Sequence, residues 1–185
     1  VAEIMERLNQ AGYSAYAVGG CVRDSVMGRP PQDWDVATEA LPEQVKAVFA
    51  DAHVIETGLK HGTVTVRLNH MPVEVTTYRQ EAGYSDHRRP DEVRFIDQID
   101  GDLARRDFTV NALAYHPKKG LHDPFGGLKD LSARLLRCVG EPKQRFEEDA
   151  LRMMRALRFS AVLGFSIEPN TAAAIHQLSG NLSYI

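Results

Sequence analysis

The chain has 185 residues, 43% apolar and 25% charged, with a formal net charge of −3, a balance that lets one domain bury a normal core. It has no apolar run long enough for a membrane span and no cleavable leader pattern, and its two cysteines, Cys21 and Cys138, are too few for a disulfide framework, so a cytoplasmic setting fits. The mild negative charge excludes nucleic-acid binding by bulk charge alone, although Arg88-Arg89, Arg105-Arg106 and the series Arg152, Arg155, Arg158 are local basic clusters. In chain order, Val1, Ile4, Met5 and Leu8 recur at helical spacing, and Gly12 is a stop. YSAYAV reads as a strand ending at Gly19-Gly20, CVRDSVM as a short helix stopped by Gly28, and WDVAT as a strand. LPEQVKAVFA is a helix with Pro42 early and Val45, Val48 and Phe49 on one face. GTVTVRL and VEVTTY alternate as strands joined by NHMP.

From Glu81 to Asp91 the chain is polar and reads as a mobile loop. GDLARRDFTVNALAYH is expected to be helical, HDPFGG a turn, LKDLSAR a short helix and LLRCV a strand. A long amphipathic helix is expected from near Glu141-Pro142, with helices alone after it. Mixed and partly consecutive strands make the first part α+β. The composition shift near Val139 to Pro142 sets a boundary between residues 1–139 and 140–185. The chain starts without Met inside a helical pattern and stops just after a new helix, so a fragment of a longer protein is expected.

Asp33 and Asp35 lie one residue apart at the start of WDVAT. Strand alternation would send both carboxylates to one side and Trp34 and Val36 to the core. Two acids on one edge repel unless a cation lies between them, and Mg²⁺ takes one or two carboxylates plus substrate phosphates. The plain alternative is two solvated acids at a strand end. Glu74 faces away from Val73 and Val75; if its strand neighbours that of Asp35, three carboxylates converge into a set for two metals in phosphoryl transfer. Alone, Glu74 reads as an exposed strand residue. GGCVRD lacks a dinucleotide-binding spacing, but Gly19 and Gly20 before a helix let backbone N–H groups approach an anion, and Arg23 adds a charged donor. Without a ligand it is a strand-to-helix turn.

On the expected helix 101–116, Asp107 falls on the stripe of Leu103, Val110 and Ala114. A carboxylate on a packed face either braces a neighbouring element or accepts from a ligand such as a sugar hydroxyl, and Arg106 beside it suits a phosphate. On the last helix, Phe146, Ala150, Met153, Leu157 and Ala161 are the expected buried stripe, while Asp149, Arg152, Arg155 and Arg158 advance by threes around the rest. Such charges often form a solvated face. Asp149 and Arg152 would also present an acceptor beside donors, matching the pairing edges of cytosine and adenine and leaving uracil and guanine with unpaired polar groups. His53, His61, His70, His87 and His122 show no zinc-ligand spacing.

AVGGCVRDSVMGRPPQDWDVAT, VEVTTYR, RRDFTVNALAY, DPFGGLKDL and EEDALRMMRALRF together, over nearly the whole chain, resemble the bacterial (class II) tRNA nucleotidyltransferases, the CCA-adding enzymes, whose core bacterial poly(A) polymerases share. The resemblance implies an α+β nucleotidyltransferase (polymerase beta-like) head over residues 1–139 and the start of a helical neck over 140–185, with body and tail absent. It implies triphosphate binding at Gly19, Gly20 and Arg23, and catalytic Mg²⁺ ligands at Asp33, Asp35 and Glu74. It implies nucleotide and ribose contacts at Arg106 and Asp107, base reading at Asp149 and Arg152, and further nucleotide contacts at Arg155 and Arg158. Residues 81–91 match a loop linked to the switch between adding C and adding A. The implied substrates are CTP, ATP and the 3′ end of tRNA, joined with release of pyrophosphate. A poly(A) polymerase and CC-only or A-only enzymes stay open, as do a D-x-D glycosyltransferase and a non-catalytic nucleotide- or RNA-binding module.

Overall fold

The computed structural model describes residues 1–69 and 71–185, with Thr57 and Tyr184 described by backbone alone; His70 lies outside the described residues. The chain forms two compact units, one of residues 1–80, 94–103 and 113–122, the other of residues 81–93, 104–112 and 123–185. Segments 81–93 and 104–112 pack with the C-terminal residues in the second unit.

The first unit starts with α1 (Ala2–Gln10), β1 (Ala15–Val18), α2 (Gly20–Val26), β2 (Asp35–Thr38) and α3 (Pro42–Val48), and continues with β3 (His53–Gly58), β4 (Thr63–Leu68) and β5 (Met71–Thr77). A two-stranded ribbon of β6 (Arg79–Ala82) and β7 (Glu92–Phe95) has residues in each unit, and α4 (Ile99–Ala104, all but its last residue), β8 (Ala114–His116) and β9 (Gly120–His122) belong to the first. A seven-stranded mixed sheet runs β3-β4-β5-β2-β1-β8-β9. Within it, among the described residues, β2 and β5 pair in parallel and the other pairs are antiparallel. Alternation explains how it packs. Val36, Val75 and Val64 are register partners, as are Val73 and Val66, so they share one face, and each is at most 1% exposed. Asp35, Glu74 and Thr65 form a register row on the opposite face. Helix α1 buries Ile4, Met5 and Leu8, and Arg7 clasps the end of α3 by stacking 4.6 Å from the Phe49 ring and bonding Asp51 and the Val48 carbonyl. Strand β3 has no clean alternation to announce it and carries a register shift between Ile55 and Gly58.

The second unit holds α5 (Gly127–Ser132), β10 (Leu135–Leu136), α6 (Pro142–Glu148), α7 (Leu151–Leu163), β11 (Ser166–Ile167) and α8 (Pro169–Leu178). The expected strand LLRCV is reduced to two residues, pairing in parallel with β11, plus a bridge from Cys138 to Phe108. Segment 83–91 is a tied loop. Asp91 bonds back to Gly83, Ser85 donates to the Asp91 carboxylate, and Asp86 accepts from the N–H groups of Arg88 and Arg89.

Two long helices expected from periodicity are broken. The helix over 101–116 stops at Ala104, and Val110 and Asn111 sit in a 3-10 turn before β8. Asp107 accepts from its neighbour Phe108 N–H, a local bond that competes with helix. The backbone on both sides is drawn into tertiary bonds, Val139 N–H to the Asp107 carbonyl and Thr109 N–H to that of Arg137, each 3.0 Å. The second break falls at Asp149, which is extended at φ −139°, ψ 101°, between α6 and α7. Its carboxylate caps Leu151 N–H at 3.0 Å, and Ala150 N–H bonds the His87 carbonyl at 2.9 Å. The buried stripe shifts with the break. Phe146, Ala150 and Met153 are fully buried as expected, but Leu157 is 48% exposed and Ala161 is exposed, while Arg152 and Ala156 turn inward.

Candidate active site

The turn from β1 into α2 needs glycine at its first position. Gly19 has φ 78° and ψ −133°, a conformation essentially reserved for glycine. Its N–H bonds the Leu113 carbonyl at 3.0 Å and its carbonyl accepts Arg23 N–H, so the turn is pinned on both sides. A side chain at Gly20 would meet the Arg23 guanidinium 3.6 Å away. Arg23 thus folds back to the start of its own helix, where it is 8% exposed and paired with Asp24 at 2.8 Å. Cys21 locks the same turn, donating to the Val18 carbonyl at 3.2 Å, and burial pushes its thiol pKa up.

The carboxylates lie on the neighbouring strands. Parallel pairing sets Asp35 directly beside Glu74, in strands about 4.8 Å apart. This is the neighbourhood on which the three-acid reading depended. Asp35 is half-buried and Glu74 exposed. Asp33 falls in the bend before β2, outside strand alternation, and is exposed; Trp34 is half-buried, not in the core. Among the described residues no group of three or more His, Cys, Asp or Glu is set to hold a metal ion. Two carboxylates side by side, with oxygen donors only, do fit a hard cation that completes its shell with substrate phosphates.

The second unit holds the other predicted residues. Arg106 and Asp107 occupy the turn after α4, with Arg106 half-buried and Asp107 7% exposed. Asp107 braces its surroundings. One oxygen accepts from Phe108 N–H at 2.8 Å and Asn111 Nδ2 at 3.2 Å; the other pairs with Arg155 at 2.6 Å. Arg155 and Arg158 flank the Phe159 ring, 5.3 and 5.0 Å from its centroid. Asp149 and Arg152 are neighbours across the helix break, Arg152 Nε standing 3.8 Å from Asp149 Oδ2. Burial raises the Asp149 pKa against the opposing pull of Arg152. The sequence reading put Arg152 on a surface face, yet it is 6% exposed. Its guanidinium donates to Glu148 Oε2 at 3.3 Å and to the Arg105 carbonyl at 3.1 Å.

Glu148, Arg145, Arg105 and Glu81 were not among the expected site residues, although Arg105 stood out as half of a basic pair. Glu148 receives both Arg145, at 2.9 Å, and Arg152. Its i, i+4 spacing to Arg152 was a readable signal. Glu81 and Arg105 pair at 3.1 Å across a long stretch of chain, for which no local pattern exists.

Residues 15–137 match the poly A polymerase head domain family. The CCA-adding enzyme of Lactobacillus delbrueckii subsp. bulgaricus is 51% identical over 183 residues, covering 97% of this chain and 46% of that protein. The crystal structure of the Bacillus stearothermophilus CCA-adding enzyme in complex with CTP superposes with a TM-score of 0.91 at 46% identity, covering all of this chain and 44% of that one. A tRNA nucleotidyltransferase complexed with a primer tRNA and an incoming ATP analog gives 0.77 at 29% identity, covering 97% and 50%. The chain thus spans just under half the length of the curated relative it matches. Its mixed sheet with flanking helices is the nucleotidyltransferase head fold of these structures, and the chain belongs to the poly A polymerase head domain family.

Proposed function

We propose that this chain is the catalytic head and the start of the neck of a template-independent tRNA nucleotidyltransferase, with the division at 139/140. The full-length protein would add C and A to the tRNA 3′ end from CTP and ATP, releasing pyrophosphate. The register of Asp35 beside Glu74, next to the pinned Gly19–Gly20 turn, carries this reading. The 51% identity to a CCA-adding enzyme over nearly the whole chain supports it.

The residues divide the work as follows. Gly19, Gly20 and Arg23 receive the triphosphate through backbone N–H groups and a guanidinium. Asp33, Asp35 and Glu74 would hold Mg²⁺, which when bound lowers the barrier for attack of the RNA 3′-hydroxyl on the α-phosphate and neutralises the developing charge. Arg106 and Asp107 contact the nucleotide and its ribose. Asp149 offers an acceptor and Arg152 donors to the base edge, with Arg155 and Arg158 as further nucleotide contacts. The protein contributes mainly positioning and fixed electrostatics.

The test incubates full-length protein with tRNA lacking its 3′ end and with each triphosphate, then sequences the added tail. Added C and A with equimolar pyrophosphate support the proposal. Long A tails would identify a poly(A) polymerase instead, and tails of CC or A alone a partial enzyme. Equal use of UTP and GTP would sink the base-reading assignment. Transfer without pyrophosphate release would point to sugar-nucleotide chemistry, and binding without turnover to a non-catalytic module.

A further inference from the structure

Turn 105–107 lies between the end of α4 and the 3-10 turn Thr109–Asn111. Its downstream side is fastened by backbone bonds from Val139 to Asp107 and from Thr109 to Arg137. On its upstream side, Arg105 Nη1 meets Glu81 Oε1 at 3.1 Å, and the Tyr84 hydroxyl donates to Glu81 Oε2 at 2.9 Å. The two charged side chains are only 18% and 8% exposed. A pair this deep is tolerated because each carboxylate oxygen has a donor. Burial, with Glu81 alongside, pushes the Tyr84 hydroxyl up to about 12, so it stays a donor at neutral pH.

The pair also bears on Arg152. That guanidinium is aimed by the Glu148 carboxylate and by the carbonyl of Arg105. A backbone acceptor cannot adjust by rotamer; its position follows the side chain that anchors its residue.

We infer that Glu81 and Arg105 are positioning residues that aim Arg152 through the Arg105 carbonyl, and so help to set base choice. The inference rests on the reading that Arg152 selects the base. Neither residue touches the nucleotide in this scheme. Losing the pair loosens the upstream side of the turn, where Arg145 still donates to the Ala104 carbonyl at 3.4 Å; Arg152 keeps its charge and its Glu148 and Asp149 neighbours but loses a fixed Arg105 carbonyl, and discrimination falls while triphosphate affinity holds.

Full-length protein is assayed on tRNA lacking its 3′ end for incorporation of C and A relative to U and G. Glu81→Gln and Arg105→Met are expected to lower that ratio about tenfold, with the KM for CTP and ATP within about twofold of the parent. Arg105→Lys, which can still reach Glu81, restores most of the ratio. Tyr84→Phe lowers it less, in the same direction, and keeps the idea testable should Arg105→Met fail to fold. If both pair variants kept the parent ratio while Arg152→Ala relaxed it, the inference would be overturned and base reading by Arg152 would stand. If Arg152→Ala also kept the ratio, the base-reading assignment itself would fall. An Arg105→Lys protein no better than Arg105→Met would reject the ion pair as the cause.

Discussion

Individual side chains carry the sharpest expectations. Asp35 sits half-buried beside Glu74 at the start of β2. On the proposed reading, Asp35→Ala should lower nucleotide incorporation by at least about 10²–10³-fold, because a ligand to the cation that would neutralise charge at the α-phosphate is lost. Its circular dichroism should match the parent, since the residue is outside the apolar core; normal incorporation in Mg²⁺ would remove Asp35 from the mechanism. Gly19→Ala should instead act on the fold, costing about 1–3 kcal/mol, since an L side chain must occupy φ 78°, ψ −133°. A denaturant midpoint equal to the parent would mean that the turn relaxes. His116 is held neutral by its surroundings. Its Nδ1 accepts the N–H groups of Lys118 and Lys119 at 3.1 and 3.2 Å, and Nε2 meets Asn9 Oδ1 at 3.1 Å. Burial lowers its pKa, with Lys119 and Lys118 adding to the shift. The folded state therefore binds this proton less readily than the unfolded chain. The stability His116 confers is full above about pH 6.5 and is lost as pH falls from there toward the lowered value. Urea midpoints at pH 7.5 and 5.5 should fall in the parent, and fall less in His116→Gln. Equal drops in both would assign the slope to other groups.

Among the elements, the break between α6 and α7 matters most. A continuous helix would have placed Asp149 and Arg152 one turn apart on a wet face. The break leaves Asp149 extended and turns Arg152 inward. It also makes Asp149 pH-sensitive, because burial raises its pKa above the ordinary 3.8. A protonated carboxyl no longer acts only as an acceptor, so misincorporation of U and G should rise as pH falls through the usual aspartate range, beginning above it. The sign is fixed by the shift: the charged form is lost earlier on acidification than from a solvated aspartate. A ratio of C and A to U and G that stays flat across that range would exclude Asp149 as the acceptor. The sequence did display the pair, as acidic and basic residues at helical spacing. It hid the break, because the cause is non-local: Ala150 N–H is claimed by the His87 carbonyl.

For the whole molecule, the relevant quantity is how much of the protein the chain represents. It spans 46% of the length of a curated relative, and on the proposed function most tRNA contacts would fall in the remainder of such a protein. The 185-residue chain is therefore expected to bind CTP and ATP in Mg²⁺, with a tRNA affinity at least about tenfold below that of the full-length protein. Equal tRNA affinities in filter binding at one salt concentration would show that the head and early neck suffice. Short-range physics writes into the chain the alternating strands β4 and β5, the glycine turn into α2, the short helices α2, α3, α5 and α8, and the motifs that identify the family. Side-chain period and turn chemistry act within a few residues, and so they can be read along the chain. The tertiary structure alone decided that β5 lies parallel to β2 and sets Glu74 against Asp35, that Asp107 is braced by Arg155, and that Glu81 anchors Arg105. Each of these joins residues far apart in sequence. Their pairing depends on which packing of the whole chain satisfies buried charge and backbone together, and no local pattern encodes that choice.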